Sequence, residues 1–347
     1  MTERVLMNGN TALGEAAIRA GCDCYFGYPI TPQNELTSYM ATYMPPNDRV
    51  FLQAESELAA INMVYGASAA GKRAMTSSSS PGISLKQEGI STLAGAELPA
   101  VIVNVQRGGP GLGNIAPAQA DYFQAVKGGG HGDYRQIVLA PDSVQEMHDL
   151  TFTAFDLADT YRGPVMILTD GRLGQMMEPF ELRPPVTPDT KKPWAITGAA
   201  GRAPNMIRSL YLVVEELEKL NLHLQEKYRK IAAKEVRVEE RMTDDCDILL
   251  VAYGSSARAC KGALIEARAC GHKVGLLRPV SLWPFPSARI RELASTVKTI
   301  LVVEMSAGQL IEDVQLAAGS GVDVLLENRL GGLVPEQRDI LKRIEAI

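Results

Sequence analysis

The sequence predicts an α/β protein built from two parallel-sheet domains, and three observations carry that prediction. Short apolar runs alternate with amphipathic segments through the first 180 residues and again beyond residue 246, the grammar of β-α-β units. The runs Ala100-Val101-Ile102-Val103-Asn104-Val105 and Val165-Met166-Ile167-Leu168 are apolar at consecutive positions, which suits strands covered on both faces. Composition shifts near residue 180, where Pro184, Pro185, Pro188 and Pro193 lie among lysines and threonines as in a linker. A chain of 347 residues has room for two domains. The expected division is a first domain over 1–180, a linker with a long helix over 181–245, and a smaller domain over 246–347.

Each element has a local reason. Residues 11–20 read as a helix closed by Gly21, and 24–28 as a short strand broken at Pro29. Over 55–70, Leu58, Ile61, Met63, Val64 and Ala67 lie near helical spacing, with Gly71 as the stop. Beyond Pro204, Met206, Leu210, Val213, Leu217, Leu220, Leu224, Tyr228 and Ile231 recur every three or four residues, predicting a long packing helix over 205–234. The second domain opens with the strand Ile248–Val251, which runs into Gly254-Ser255. A helix over 257–269 follows, then a strand over 273–277, a turn at Pro279 and the strand Thr299–Glu304.

Composition excludes several function classes. Hydrophobic residues make up 46% and charged residues 22% of the chain, the balance of a soluble globular protein. A formal charge of −5 argues against nucleic acid as a partner. No stretch reaches the roughly 18 apolar residues of a membrane span. Met1-Thr2-Glu3-Arg4 begins no apolar signal core, so the expected location is cytoplasmic, with no membrane contact. None of Cys22, Cys24, Cys246, Cys260 and Cys270 forms a C-x-x-C pair. They read as free thiols, and any iron–sulfur cluster must lie on another chain.

Four segments hold residues able to do chemistry. Glu57 opens a run of small and apolar residues. On the residues alone it is either an ordinary first-turn glutamate, the commoner case, or a carboxylate at the mouth of a buried region. Thr76-Ser77-Ser78-Ser79-Ser80-Pro81-Gly82 is a hydroxyl-rich turn from strand to helix, a setting that suits anions. Arg107, followed by Gly108-Gly109-Pro110-Gly111-Leu112-Gly113-Asn114, comes after a strand, where ligands of parallel sheets bind. It is either a carboxylate clamp or an arginine bridging a loop. Residues 127–133, rich in glycine, read as a mobile loop over a site. His131 has no second ligand at metal spacing, so no metal is expected on this chain. No G-x-G-x-x-G and no Walker loop occurs, which leaves nucleotide binding without support.

Taken in order, Tyr28-Pro29-Ile30-Thr31-Pro32, the run 53–71, the loop 76–82 and Arg107-Gly108-Gly109 resemble the 2-oxoacid:ferredoxin oxidoreductase family. Within it the chain is similar to the subunit that carries the pyrimidine-binding domain of thiamine diphosphate and a domain like the C-terminal domain of transketolase. The second domain joins the resemblance through Val251-Ala252-Tyr253-Gly254-Ser255-Ser256-Ala257-Arg258 and through 277–286.

The resemblance implies that Glu57 meets N1′ of the aminopyrimidine, where a carboxyl favours the imino tautomer that takes up the C2 proton. It implies cofactor contacts from Tyr28, Pro29 and Ser79, and substrate contacts from Thr31 and Arg107, with Arg107 facing the 2-oxoacid carboxylate. The implied reaction is oxidative decarboxylation of the 2-oxoacid to an acyl-CoA, with electrons passed to ferredoxin. Thr169-Asp170-Gly171 does not continue into the Mg²⁺-diphosphate signature of thiamine enzymes. Magnesium and the diphosphate half are therefore expected on a partner β subunit. Iron–sulfur clusters are expected there and on a small ferredoxin-like subunit, with a γ subunit completing the complex. Gly111-Leu112-Gly113 stands where the 2-oxoglutarate type carries Ser-Thr, which resembles the branched-chain (3-methyl-2-oxobutanoate) type. The alternatives are a 2-oxoglutarate enzyme, a non-catalytic assembly subunit, and a transferase related to transketolase.

Overall fold

The computed structural model describes residues 4–189 and 191–347. Its first part runs β1 (Arg4–Asn8), α1 (Gly9–Arg19), β2 (Cys24–Gly27), α2 (Asn34–Tyr43), β3 (Val50–Gln53), α3 (Glu57–Ala69), β4 (Ala74–Ser78), α4 (Ser80–Gly95) and β5 (Ala100–Gln106). It continues through α5 (Tyr122–Val126), β6 (Ile137–Leu139), α6 (Val144–Tyr161), β7 (Pro164–Asp170), α7 (Gly171–Gln175) and β8 (Met177–Glu181). After an extended stretch come α8 (Val214–Lys234), β9 (Val238–Arg241), β10 (Ile248–Val251), α9 (Gly254–Ala269), β11 (Val274–Pro279) and β12 (Ser281–Trp283). The last elements are α10 (Ser287–Ala294), β13 (Thr299–Glu304), α11 (Leu310–Ala318), β14 (Asp323–Asn328) and α12 (Gln337–Glu345).

Two sheets organise the chain. The larger has the order β12-β6-β7-β5-β4-β2-β3, parallel except for β12, and the smaller has the order β14-β13-β10-β11-β9, parallel except for β9. Helices α1, α2 and α6 pack together, as do α3 and α4, and every residue of β4, β5 and β7 is buried. That is the signature of a parallel sheet covered on both faces. From β2 the chain goes to β3 on one side and then to β4 on the other. The carboxyl ends of β2 and β4 therefore flank a topological switch point, the usual place for a ligand.

Two edge strands cross the expected divisions. β9, within the expected linker, joins the smaller sheet, and β12, within the expected second domain, joins the larger one. Beside them lies a buried ion cluster. Arg278, 1% exposed, donates to Glu146 (2.8 and 2.6 Å) and Glu239 (2.6 Å), and Lys261 pairs with Glu239 (2.8 Å) and with Asp142. Burial opposes ionisation of Glu239, but Lys261, Arg241 and Arg278 outweigh it and hold its carboxyl down to about 2. Asp142, Glu146 and Glu239 bring ligand atoms within 4.8 Å of one another. The two cations already supply their counter-charge, so the cluster joins the two sheets' supporting elements.

The long helix differs from its expectation over 205–234, because α8 begins only at Val214. Upstream, Met206, Leu210 and Leu212 are exposed, and only Leu224, Tyr228 and Ile231 of the helix are buried. Glu215 and Glu216 in the first turn favour a start at 214. The glycine-rich stretch 127–133, expected as a mobile cover, is tied down. Ser91 Oγ donates to the His131 carbonyl (2.8 Å), Gln225 Nε2 to the Asp133 carbonyl (2.7 Å) and the Gly130 N–H to the Tyr134 hydroxyl (3.1 Å). All five cysteines are free, and only Cys270 is exposed. Among the described residues no helix is long and apolar enough to cross a membrane.

Candidate functional site

Because β2, β3, β4, β5 and β7 are parallel, the residues after their carboxyl ends share one edge of the large sheet. Tyr28 follows β2, Ser79 follows β4, Arg107 follows β5, and Glu57 opens the helix after β3. The structure thus brings the expected site residues to one edge, at the switch point.

Glu57 is the first residue of α3, whose cap is Ser56: its hydroxyl accepts from the Ala59 N–H (3.1 Å). The buried stripe of that helix is Glu57, Ala60, Ile61, Val64 and Ser68. Leu58, expected inside, is exposed, since the residue one turn before Ile61 is Glu57. Glu57 is therefore carried inward in phase with Ile61 and Val64, and it is 6% exposed. Among the described residues its carboxylate accepts no hydrogen bond and forms no ion pair. It lies against the first turn of α4, where a Cβ on Gly82 would stand 2.5 Å from Glu57 Oε1 and 2.0 Å from Ser78 Oγ.

Around this carboxylate the polar groups are under-satisfied. The hydroxyls of Thr76, Ser78 and Ser79 are buried without a partner, and so is Lys86 Nζ. Buried polar groups are normally paired, so a cluster of unpaired ones on a ligand-binding edge is a chemical signal. Lys86 and Gln87 lie beyond the hydroxyl-rich turn 76–82 and were not singled out by the sequence. Lys86 lies four residues after Gly82 and three before Gly89, whose missing Cβ makes room for Ile61, so it shares the α4 face that meets α3. Burial lowers its ammonium to about 8, opposed by the Glu57 charge.

The unpaired ammonium yields a stability prediction. Lys86→Met should stabilise the isolated chain at neutral pH by about 1–3 kcal/mol, the cost of burying an unpaired polar group. The folded chain holds this proton only to about 8, against an ordinary 10.5. Between those values the unfolded chain binds more protons, so wild-type stability rises with pH. The advantage of the variant is complete below pH 8 and shrinks towards 10.5, which thermal melts across that window read directly.

Arg107 is 9% exposed, and no carboxylate pairs with it among the described residues. Its Nη1 donates to the Thr31 carbonyl (3.0 Å) and Nη2 to the Leu112 carbonyl (3.1 Å), while Nε is buried without a partner. Two of the five guanidinium N–H donors are used. The Arg107 N–H donates to Ser80 Oγ (3.0 Å), which fixes the base of the side chain to α4. Thr31 meets Arg107 through its carbonyl, and its hydroxyl accepts from Asn34 Nδ2 (3.3 Å). Its neighbour Pro32 is held from behind by Asn10 Nδ2 (2.8 Å) and Gln175 Nε2 (3.1 Å), both donating to the Pro32 carbonyl. Tyr28 and Pro29 are exposed at the open side of the edge. The arrangement is an unpaired carboxylate and an unpaired guanidinium, separated by a row of serine hydroxyls.

Residues 15–243 match the family described as "Pyruvate flavodoxin/ferredoxin oxidoreductase, thiamine diP-bdg", and residues 246–340 match "Pyruvate:ferredoxin oxidoreductase core domain II". The chain is 59% identical to ketoisovalerate oxidoreductase subunit VorB of Methanothermobacter marburgensis, over 99% of this chain and 97% of that one. It is 37% identical to 2-oxoglutarate synthase subunit KorA of the same organism, over 99% of each. A solved structure of 2-oxoglutarate:ferredoxin oxidoreductase from Magnetococcus marinus, with 2-oxoglutarate, coenzyme A and succinyl-CoA bound, matches with a TM-score of 0.89 at 28% identity. That match covers 99% of this chain, which spans 65% of the length of the other. A split-gene transketolase shares the fold, with a TM-score of 0.60 at 15% identity.

Proposed function

This chain belongs to the pyruvate flavodoxin/ferredoxin oxidoreductase family, and from that premise we propose that it carries the aminopyrimidine side of thiamine diphosphate in a complex that oxidatively decarboxylates a branched-chain 2-oxoacid. Coenzyme A takes the acyl group, CO₂ leaves, and two electrons pass singly to ferredoxin. The observation that carries the reading is the pair of buried, oppositely charged side chains, Glu57 and Arg107, left without protein counter-ions on one sheet edge.

The residues present fit the cofactor. The unpaired hydroxyls of Thr76, Ser78 and Ser79 and the space kept open at Gly82 form a polar cradle beside the Glu57 carboxylate. In this reading Glu57 holds a proton at N1′, while Ser79, Tyr28 and Pro29 line the ring. Bound thiamine diphosphate supplies a carbon acid that adds to the 2-oxo carbonyl and takes up the electron pair left by CO₂. Arg107 offers its free N–H donors to the substrate carboxylate, and Thr31 borders the same position. In this reading magnesium belongs to a partner β subunit. The iron–sulfur clusters belong to that subunit and to a ferredoxin-like chain, with a γ subunit beside them. Tyr28, Leu58, Leu112 and Ile115 are exposed apolar residues flanking the site, and the β subunit covers them. In this reading residues 1–180 form the cofactor domain, whose sheet β12 extends, 181–245 the connecting segment, whose β9 joins the smaller sheet, and 246–347 the transketolase-like domain, in a cytoplasmic complex.

Reconstitution tests this. The purified chain should be colourless and should reduce no viologen with any 2-oxoacid, and activity should appear when the β, γ and ferredoxin-like chains are added. Turnover by this polypeptide alone would sink the reading. In the same assay 2-oxoisovalerate should exceed 2-oxoglutarate in kcat/KM by at least about tenfold, or roughly 1.4 kcal/mol. Gly111-Leu112-Gly113 offers a second carboxylate few donors to replace its water, whereas each buried CH₂ of a branched chain gains about 0.8 kcal/mol. A clear preference for 2-oxoglutarate would overturn the substrate assignment and leave the family membership standing.

A further inference from the structure

The loop that carries Arg107 is held by the second domain. It begins at β5 and folds back on itself: Arg107 bridges to Pro117, the Gly108 N–H donates to the Ala116 carbonyl (2.9 Å), and the Asn114 N–H donates to the Gly108 carbonyl (3.0 Å). Gly113 has a φ of +55°, and a Cβ there would lie 1.7 Å from the Gly108 carbonyl oxygen, so only glycine closes this fold. Among the described residues, nothing of the first domain holds the tip of this loop by a hydrogen bond apart from Arg107 itself.

The second domain grips it twice. Midway, Asn114 uses both ends of its amide: Oδ1 accepts from the Ala116 N–H (3.0 Å), and Nδ2 donates to the Gly331 carbonyl (2.8 Å). Gly331 and Gly332 form a turn with φ of +64° and +104°, and a Cβ on Gly332 would stand 2.4 Å from Ala116 Cβ. At the far end, Gln119 is fully buried and docked into the second domain. Its Nε2 donates to the Tyr253 carbonyl (2.8 Å), its Oε1 accepts from Ser256 Oγ (2.7 Å) and from the Met305 N–H (3.0 Å), and its own N–H donates to the Met305 carbonyl (2.9 Å).

We propose that the second domain, through the Gly331-Gly332 turn and the Gln119 socket, is a positioning element of the 2-oxoacid site: it sets where the Leu112 carbonyl, and with it the Arg107 guanidinium, stands. The Leu112 carbonyl that accepts from Arg107 Nη2 lies between Arg107 and the first grip, two residues before Asn114. Loosening the loop therefore releases one of the two acceptors that orient the guanidinium fork. Asn114 and Gly332 touch no substrate in this account and act only through Arg107. The inference rests on the reading of Arg107 as the carboxylate contact.

The test uses the assembled complex with Asn114→Ala, which acts from the loop, and Gly332→Ala, which acts from the second domain alone. Hydrogen exchange is followed at the Gly108 and Asn114 amides without 2-oxoacid, and kinetics are measured beside Arg107→Met. Each variant should speed exchange of those amides at least about tenfold with β5 unchanged. Each should also raise KM for every 2-oxoacid several-fold with kcat within about twofold, and the double variant should be no worse than either single, as for one shared contact. Unchanged exchange in both variants overturns the inference. So does faster exchange with KM unchanged while Arg107→Met raises KM. If Arg107→Met itself leaves KM unchanged, the carboxylate assignment fails, and the inference falls with it even if exchange quickens.

Discussion

In the reconstituted complex, Glu57→Gln should lose about 10²–10⁴-fold in kcat, the usual worth of a positioned acid–base group. Glutamine keeps the shape that packs beside Gly82 and keeps a hydrogen-bonding end, so the thiamine diphosphate affinity should change by no more than a few-fold. What it loses is the acid. Glu57 is 6% exposed, and its carboxylate accepts no hydrogen bond from the described protein and is approached by the Lys86 ammonium only at longer range. A buried carboxylate without a partner costs stability unless a ligand completes it, and an aminopyrimidine nitrogen is a partner of the right size and polarity. The direct readout is exchange of the thiamine C2 proton, followed by NMR in the variant and the wild type. Equal exchange rates would remove Glu57 from its role, however low the overall turnover.

The regular part of this fold was legible because local signals agreed. β5 and β7 are apolar at nearly every position, and all their residues are buried. In α3 the expected Ile61 and Val64 are buried and Met63 and Ala67 pack against the core, but Leu58 is exposed and the first buried position is Glu57. Counted from Ile61, Glu57 lies one turn earlier, and that spacing was the available sign that a charged residue is carried into the interior. Lys86 had a similar sign, because it shares a helix face with Gly82 and Gly89, two positions where α3 comes close.

Other features had no local sign. β9 reads Val-Glu-Glu-Arg and β12 is three residues long, and neither carries a periodic pattern that names its sheet. They join opposite sheets through partners far along the chain. The Asn114–Gly331 hydrogen bond spans 217 residues, and a glycine pair near the end of a chain announces a turn, not the loop it rests on. The helix expected over 205–234 failed for the converse reason. Its apolar spacing was real, but Met206, Leu210 and Leu212 find no surface to bury against, whereas Leu220, Leu224, Tyr228 and Ile231 do. The start at Val214 follows instead from Glu215 and Glu216, which suit the positive end of the helix dipole.

Arg107→Met should lower kcat/KM by roughly 30- to several-thousand-fold, as removing one partner of a buried, hydrogen-bonded charge pair costs about 2–5 kcal/mol. The effect should fall on KM more than on kcat, since a carboxylate contact orients the substrate before and during the reaction. It should also be nearly the same for pyruvate, 2-oxoisovalerate and 2-oxoglutarate, because the carboxylate beside the keto group is common to all three. Arg107→Lys should recover only part of the loss. Lysine restores the charge but cannot donate to the Thr31 and Leu112 carbonyls while offering a planar pair of N–H groups to the substrate. Steady-state kinetics of the assembled complex with the three acids decide the matter. If the loss were confined to 2-oxoglutarate, Arg107 would be reading the distal carboxylate. The common contact would then have to be sought elsewhere on the edge, beginning with the free donors at Ser78 and Ser79.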